Sequence, residues 1–498
     1  MTSTDSGNPG RPQPKGPRGG PRPRLPLYQR IAALIEGQIR SGILRVGDKA
    51  PSVRALRRQQ RVSVSTVLQA YFWLENRGCL KARPRSGFYV SAPRAGRSPE
   101  PGVGPPDLDP KRVGVGEILR DAVRAAADPG KIPFGAACPS PDLLPNRRLN
   151  LILRKIARRD PQHSARYELP PGNQALRRQI ARRALEMGCT LEPDEIIITC
   201  GAMQALNLAL LAVSRPGDVV ALESPTYFGI LQAVEALGMR VVEIPAHPRT
   251  GIDLDLLERA MKRRRISACI AMTNCHNPLG YVLSEERKQA LVDLTARHEV
   301  PLIEDDIYGD LAYGQDRPRT AKSLDRKGQV LLCSSFSKVL APGFRLGWIH
   351  AGRFTPQVER LMFLTTIAAP SMPQIVVSEF LESGGYDRHL KRLRTVFANQ
   401  VEAVSQAVSR HFPDRTRITR PGGGYLLWVE LPKEVDALEL YRRASAANIG
   451  ILPGAIFSAG GQFRHHLRLS CGHPMSEASD RALRALGRLA RGMLAHPS

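Results

Sequence analysis

The sequence predicts an α/β protein with a small basic helical module ahead of it. Short β-branched apolar runs at residues 195–201, 268–272, 300–306 and 330–335 each end in small, polar or carboxylate residues. Helix-like or turn-like stretches follow them, as in an open, mainly parallel sheet. The charge is lopsided: of a formal +26, residues 1–95 carry +14, from 18 Lys/Arg against 4 Asp/Glu. A chain of 498 residues exceeds one ordinary domain. Its composition divides it into a Pro/Gly-rich basic tail (1–24), a module (25–92), a semi-extended Pro/Gly/Arg linker (93–116) and a large domain (117–495).

Ile31, Leu34, Ile35 and Ile39 recur at helical spacing, and Gly42 is placed to end that helix. Ser52 is placed to cap a second helix running through Arg58. A third, from Val62 to Leu74, starts polar, turns apolar and ends at Arg77-Gly78. Leu80 to Val90 alternates like a hairpin with Gly87 near its turn. Three helices and a wing make a winged helix-turn-helix, and the basic excess implies a polyanion partner.

In the large domain, residues 195–206 run from a strand through Gly201 into an Ala/Leu-rich helix whose first amides, at Ala202 and Met203, are free for a phosphate. Asn277, held extended before Pro278, can point its amide at a ring hydroxyl. Glu304-Asp305-Asp306 closes an apolar run, and a buried carboxylate there needs a cationic partner. Lys338, between Ser337 and apolar residues, is placed to become a neutral nucleophile. Eight cysteines lie scattered without a CxxC pair, which fits a reducing cytoplasm. His465 and His466 are adjacent rather than at ligand spacing, so no metal is expected. No apolar run is long enough for a spanning helix, and residues 1–24 lack an apolar signal-peptide core.

In this order the segments resemble the fold-type I, class I/II aminotransferases, from about Phe134 to Arg488. The resemblance implies a PLP-dependent transferase large domain, a smaller C-terminal α+β domain and pyridoxal 5'-phosphate as cofactor. It implies that Lys338 forms an imine with the cofactor and that Asp305 pairs with its ring nitrogen. Tyr308 and Asn277 serve the 3'-oxygen, Tyr227 stacks on the ring, and Gly201, Ala202, Ser335, Ser337 and Arg345 surround the phosphate, with Met203 in the same set. Tyr167 reaches the phosphate of the neighbouring subunit, while Arg468, with Asn277, holds a substrate carboxylate.

The module resembles the GntR family through Pro51-Ser52-Val53-Arg54-Ala55-Leu56 and Ser86-Gly87-Phe88-Tyr89-Val90. Arg54, Ser65 and Thr66, with Ser63, match the family's DNA-contact region, and Arg83, Arg85 and Gly87 match its wing. Where many relatives carry a basic residue early in the recognition helix, this chain has Ser63-Val64-Ser65-Thr66. The two parts together resemble the MocR subfamily of bacterial regulators. That implies a cytoplasmic, nucleoid-associated, head-to-tail homodimer that binds a double-stranded DNA operator and answers to an amino acid or amine. An active aminotransferase that retains a DNA-binding domain is the alternative.

Overall fold

The computed structural model describes residues 27–495 apart from 42, 46, 77–78, 84–85, 91–97, 115, 117–119, 121–123, 125–127 and 315. The chain falls into two compact units that divide between residues 94 and 95.

The first unit holds helices Leu27–Arg40, Val53–Gln60 and Val64–Asn76, then antiparallel strands Leu80–Arg83 and Gly87–Val90. Its core joins Ile31, Ala32, Ile35, Leu56, Val67, Tyr71, Leu74, Leu80 and Val90. Leu34 departs from its predicted place on this face and is 39% exposed, because the buried stripe is centred nearer Ile35 and takes Ala32 instead. The Ser52 hydroxyl caps the second helix by accepting from the Ala55 amide at 3.1 Å. That helix runs to Gln60, two residues past its expected end, and Arg61 closes it in the left-handed region (φ 51°). The phenol of Tyr71, pushed up to about 12 by burial, donates to the Pro51 carbonyl and ties the third helix to the turn before the second. Gly42, Arg77-Gly78 and Arg85 lie outside the described residues.

The second unit is built on a nine-stranded sheet. Its path runs Asp107–Lys111, Arg240–His247, Val219–Ser224, Ala268–Ala271, Leu302–Asp305, Val330–Ser335, Gly347–His350, Ile196–Thr199, with Gly251–Ile252 paired beside the second of these. The central strands pair in parallel and are buried along their lengths, which is why they read as unbroken apolar runs. Gly347–His350 runs against both of its neighbours. A second, four-stranded antiparallel sheet contains Arg417–Ile418, Leu426–Glu430, His466–Ser470 and Leu452–Pro453. One hydrophobic cluster spans both sheets.

The linker is shorter than composition suggests. Asp107–Lys111 is an edge strand antiparallel to Arg240–His247. The Pro99 carbonyl accepts from the Ile418 amide at 2.9 Å, and Glu100 pairs with Arg249. Proline is tolerated here because an edge strand pairs on one side only, and Pro110 needs no donor on the other. Among the described residues no helix is long and apolar enough to cross a membrane.

Candidate cofactor and ligand site

The strands that end in chemistry converge on one cavity of about 280 Å3. It opens at the C-terminal ends of parallel strands, where such sheets bind ligands. Ala202, Met203, Tyr227, Asn277, Asp305, Tyr308, Ser337, Lys338, Arg345 and Arg468 all line it. These ten were expected from six separated segments, and the fold brings them together.

Each residue of the acidic triplet Glu304-Asp305-Asp306 has its own job. Glu304, fully buried, accepts from the Thr273 hydroxyl and from the Ala321 and Lys322 amides at 2.7 and 2.9 Å. Asp306 pairs with buried Arg317 and accepts from the Asn274 amide at 2.9 Å. Asp305 alone faces the cavity. It accepts from the Ile307 amide at 3.2 Å, and among the described residues no ion pair is formed to it. Burial, with adjacent Asp306, lifts its carboxyl to about 7, against the opposing pull of the Ile307 amide and Lys338. A cation delivered into the cavity would hold it ionised.

Lys338 sits in the turn after strand Val330–Ser335 and donates to the Ala137 carbonyl at 2.8 Å. Burial holds its ammonium below the ordinary lysine range. Arg468 and Arg345 push the same way, while Cys138 and Asp305 oppose. A neutral amine is therefore within easier reach than for a surface lysine.

The other end of the cavity is an anion cradle. Gly201 takes φ 87° before helix Ala202–Val213, whose start has no side-chain cap. A Cβ on Gly201 would stand 2.6 Å from the Arg345 guanidinium, so glycine is what lets that arginine lie over the helix start. Arg345 is itself left-handed (φ 48°) and donates to the Ser337 hydroxyl and the Cys200 carbonyl, both at 3.4 Å. Ser335 does not line the cavity. Its hydroxyl accepts from the Ser337 amide at 3.0 Å and donates to the Leu346 carbonyl, fixing the turn. Gly201 and Ser335 thus act on the cradle through their neighbours. Tyr167 is 76% exposed and lies off this chain's cavity.

Arg468 is fully buried in strand His466–Ser470. It donates to Gly135 O at 2.5 Å and to Asn277 Oδ1 at 3.3 Å, while its Nε finds no partner. A buried guanidinium with an unused donor beside a cavity is a ready carboxylate clamp. Tyr227 begins helix Phe228–Ala236, and a Cβ on Gly229 would meet its ring at 2.5 Å. The glycine leaves that ring its place at the cavity wall.

Sequence reasoning missed the loop Gly135-Ala136-Ala137-Cys138, which lines the cavity and supplies carbonyls to Lys338, Arg468 and the Tyr425 hydroxyl. It carries no charge or hydroxyl to mark it; only its run of small residues before Pro139 hints at a close backbone approach.

In the first unit, Arg54, Ser63, Ser65 and Gly87 are exposed and Thr66 is half-buried. The Ser63 hydroxyl accepts from the Thr66 amide at 3.1 Å and lies 2.8 and 2.7 Å from the Ser65 and Thr66 hydroxyls. It caps the third helix. Arg83 is in the first wing strand and Arg85 lies outside the described residues.

A reading helix with a wing, and a sheet whose strand ends gather an imine-capable lysine, a carboxylate and an anion cradle, define a regulator-like chain with an aminotransferase-like domain. Comparison with known proteins gives the family. The pattern of aminotransferase class I and II matches residues 141–486, and that of bacterial regulatory proteins, gntR family, matches residues 27–90. The chain is 40% identical to the uncharacterized HTH-type transcriptional regulator YdcR of Escherichia coli (strain K12), over 93% of this chain and 98% of that protein. It is 38% identical to YjiR of the same organism, over 92% and 98%. Among solved structures it resembles LysN, the α-aminoadipate aminotransferase of Thermus thermophilus complexed with N-(5'-phosphopyridoxyl)-L-leucine. There the TM-score is 0.71 at 30% identity, covering 77% of this chain and 96% of that one. The chain belongs to the class I and II aminotransferase family and, over nearly its whole length, to the family of gntR-headed HTH-type transcriptional regulators with the MocR-like architecture.

The cavity fits pyridoxal phosphate. It has a buried carboxylate lacking a cation, an uncapped helix start beside an arginine, and a lysine held low in the same space.

Proposed function

We propose that this protein is a transcriptional regulator that binds an operator through its winged helix and senses an amino acid or amine through pyridoxal phosphate in its large domain. Pyridoxal phosphate is the cofactor; bound, it supplies an aldehyde carbon that amines condense with and a ring that draws electrons. Lys338 holds that aldehyde, Asp305 the ring nitrogen, Tyr308 and Asn277 the 3'-oxygen, and Tyr227 the ring face. Ser337, Arg345 and the Ala202 and Met203 amides hold the phosphate. Arg468 takes the ligand's carboxylate. Arg54, Ser65 and Thr66 contact DNA, with the wing residues Arg83, Arg85 and Gly87 beside them. Arginine can read a guanine edge, whereas the hydroxyls fix position on phosphates. The working form in this reading is a cytoplasmic homodimer arranged head to tail, each Tyr167 reaching the partner's phosphate; its exposure in a single chain supports that.

One observation carries the reading: a cavity lined by all ten of these residues and a reading module occur in the same chain. A mere dimerisation scaffold has no need of Asp305 buried without a cation, which raises the free energy of the ligand-free fold. The same completeness favours a second reading, a working aminotransferase. Titrating amines into the cofactor-loaded full chain while following DNA binding separates the two. A ligand that shifts DNA affinity by the ~1–3 kcal/mol typical of coupled sites supports the regulator. Multiple turnovers with no change in DNA affinity support the enzyme.

A further inference from the structure

Glu223, one residue from the end of strand Val219–Ser224, is 1% exposed, and among the described residues no lysine or arginine pairs with it. A carboxylate so deep must be held by hydrogen-bond donors. Its donors all come from one segment of the chain. The Met272 amide donates to one oxygen at 2.8 Å, and the Tyr281 hydroxyl donates to the other. Burial, with the Glu223 charge, keeps that phenol far above its ordinary range, so it remains a donor. His276 Nε2 stands 3.2 Å from the same carboxylate and has no other partner. The His276 ring is fully buried and stacks on Tyr281, with centres 4.6 Å apart. Its Nδ1 accepts from the Leu279 amide at 3.3 Å, which makes Nε2, turned to Glu223, the nitrogen that carries the proton.

Met272, His276 and Tyr281 bracket Asn277, the cavity residue assigned above to the 3'-oxygen. Asn277 Oδ1 accepts from Arg468 at 3.3 Å, which leaves the NH2 group of that amide as the donor for the cavity. The turn that carries it does not hold its shape unaided. Cys275 takes φ 53°, a left-handed conformation that a non-glycine residue keeps only when its surroundings impose it. One carboxylate on the adjacent strand thus grips the start, the middle and the end of the turn. None of Glu223, His276 and Tyr281 lines the cavity.

We propose that Glu223, His276 and Tyr281 are positioning residues that act through Asn277, holding its amide at the 3'-oxygen of pyridoxal phosphate; this rests on the placing of Asn277 in the reading above. A hydrogen bond to that oxygen tolerates little displacement of its donor. A donor on the oxygen also weakens its pull on the proton of the Lys338 imine. The pH midpoint of the cofactor's visible band therefore reports whether the Asn277 amide is in place.

The test loads the full chain with pyridoxal phosphate and titrates the visible band of wild type, Asn277→Ala, His276→Phe and the double variant. Asn277→Ala should raise the midpoint by about 0.4–1 pH unit, the equivalent of one hydrogen bond. His276→Phe keeps a ring on Tyr281, loses both nitrogens and should raise the midpoint in the same direction. Because it acts through Asn277, it should add nothing in the double variant. Lys338, Asp305, Tyr227, Tyr308, Arg345 and Arg468 line the same cavity in all four proteins, so their influence cancels in the cycle. Glu223 is left in place because its charge also bears on Asp305. Cofactor dissociation constants of the four proteins form a second cycle with the same expected pattern. A midpoint that moves with Asn277→Ala and not with His276→Phe, or two shifts that add, overturns this inference and spares the reading. A midpoint unmoved by Asn277→Ala overturns the placing of Asn277 and this inference with it. Should His276→Phe not fold, Tyr281→Phe, which loses only the hydroxyl on Glu223, takes its place in both cycles.

Discussion

The ligand cavity and the DNA-reading module use charge in opposite ways. In the cavity unit, Asp305, Asp306, Arg317 and Arg468 are withdrawn from water, and their properties follow from which partner each has or lacks. In the reading module, Arg54, Arg57 and Arg58 lie exposed on the second helix. The first arrangement shifts a carboxyl to about 7. The second leaves its arginines in water, available to any phosphate. Chemistry on a small ligand needs desolvation, because interactions strengthen when water is excluded. Reading DNA needs an exposed surface whose binding energy comes from displaced counterions.

The largest test removes the lysine proposed to hold the cofactor. Lys338→Ala should abolish the visible band of its imine with the cofactor while leaving salt-dependent DNA binding in place, measured by absorbance and fluorescence anisotropy on one sample. Loss of both together would mean that the two regions are not separable.

Next comes the buried pair behind Asp305. Arg317→Met leaves Asp306 buried beside Asn274 without its cation, and should cost about 3–5 kcal/mol in denaturant unfolding. It should also weaken cofactor binding, since a lone Asp306 charge disfavours an ionised Asp305. The double variant Asp306→Asn, Arg317→Met should recover most of the loss in cofactor binding and part of the loss in stability, because Asp310 still lacks the Arg317 Nε that it pairs with at 2.6 Å. A double variant no better than the single would show that Arg317 acts through its pair with Asp310 or through packing, not through Asp306.

The carboxyl of Asp305 gives a pH signature. Its folded value, about 7, lies above the unfolded value near 3.8, so the ligand-free native state holds a proton that the unfolded chain has released. The associated stability is full below about pH 4 and is lost as pH rises through 7. Ligand-free Asp305→Asn should therefore match wild type near pH 4 and exceed it by a few kcal/mol above pH 7. Its cofactor affinity should be lower than that of wild type at every pH. Thermal melts of both proteins across that range check the sign; a constant difference would remove Asp305 from the account.

The smallest effect falls on the exposed side. Arg54→Ala should lower operator affinity by about 1–3 kcal/mol if it reads a base, or flatten the log affinity against log salt slope by about one if it holds a phosphate. Neither outcome should move the cofactor band. A shift of that band would contradict the contrast between a buried, partner-defined site and an exposed reader.

Much of this protein is legible in its sequence because it rests on local chemistry. The parallel strands read as apolar runs, since both faces of the sheet are covered. Ser52 caps a helix as its hydroxyl and position predict. Residues at strand ends, among them Lys338, Asp305 and Asn277, were identifiable because polar groups that close buried strands need partners. Tertiary structure decided what depends on distant segments. It divided the triplet Glu304-Asp305-Asp306 by placing Thr273, Ala321 and Lys322 on the first and Arg317 on the third, leaving only the second for the cavity. It set Ser335 behind Ser337 and brought the unmarked loop Gly135–Cys138 against Lys338, although Ala137 lies 201 positions before the lysine it receives. It also laid Asp107–Lys111 on a sheet edge where composition suggested only linker. The physical reason is the same in each case: a residue's type fixes which bonds it can form, while desolvation and pairing depend on neighbours that only the folded chain supplies.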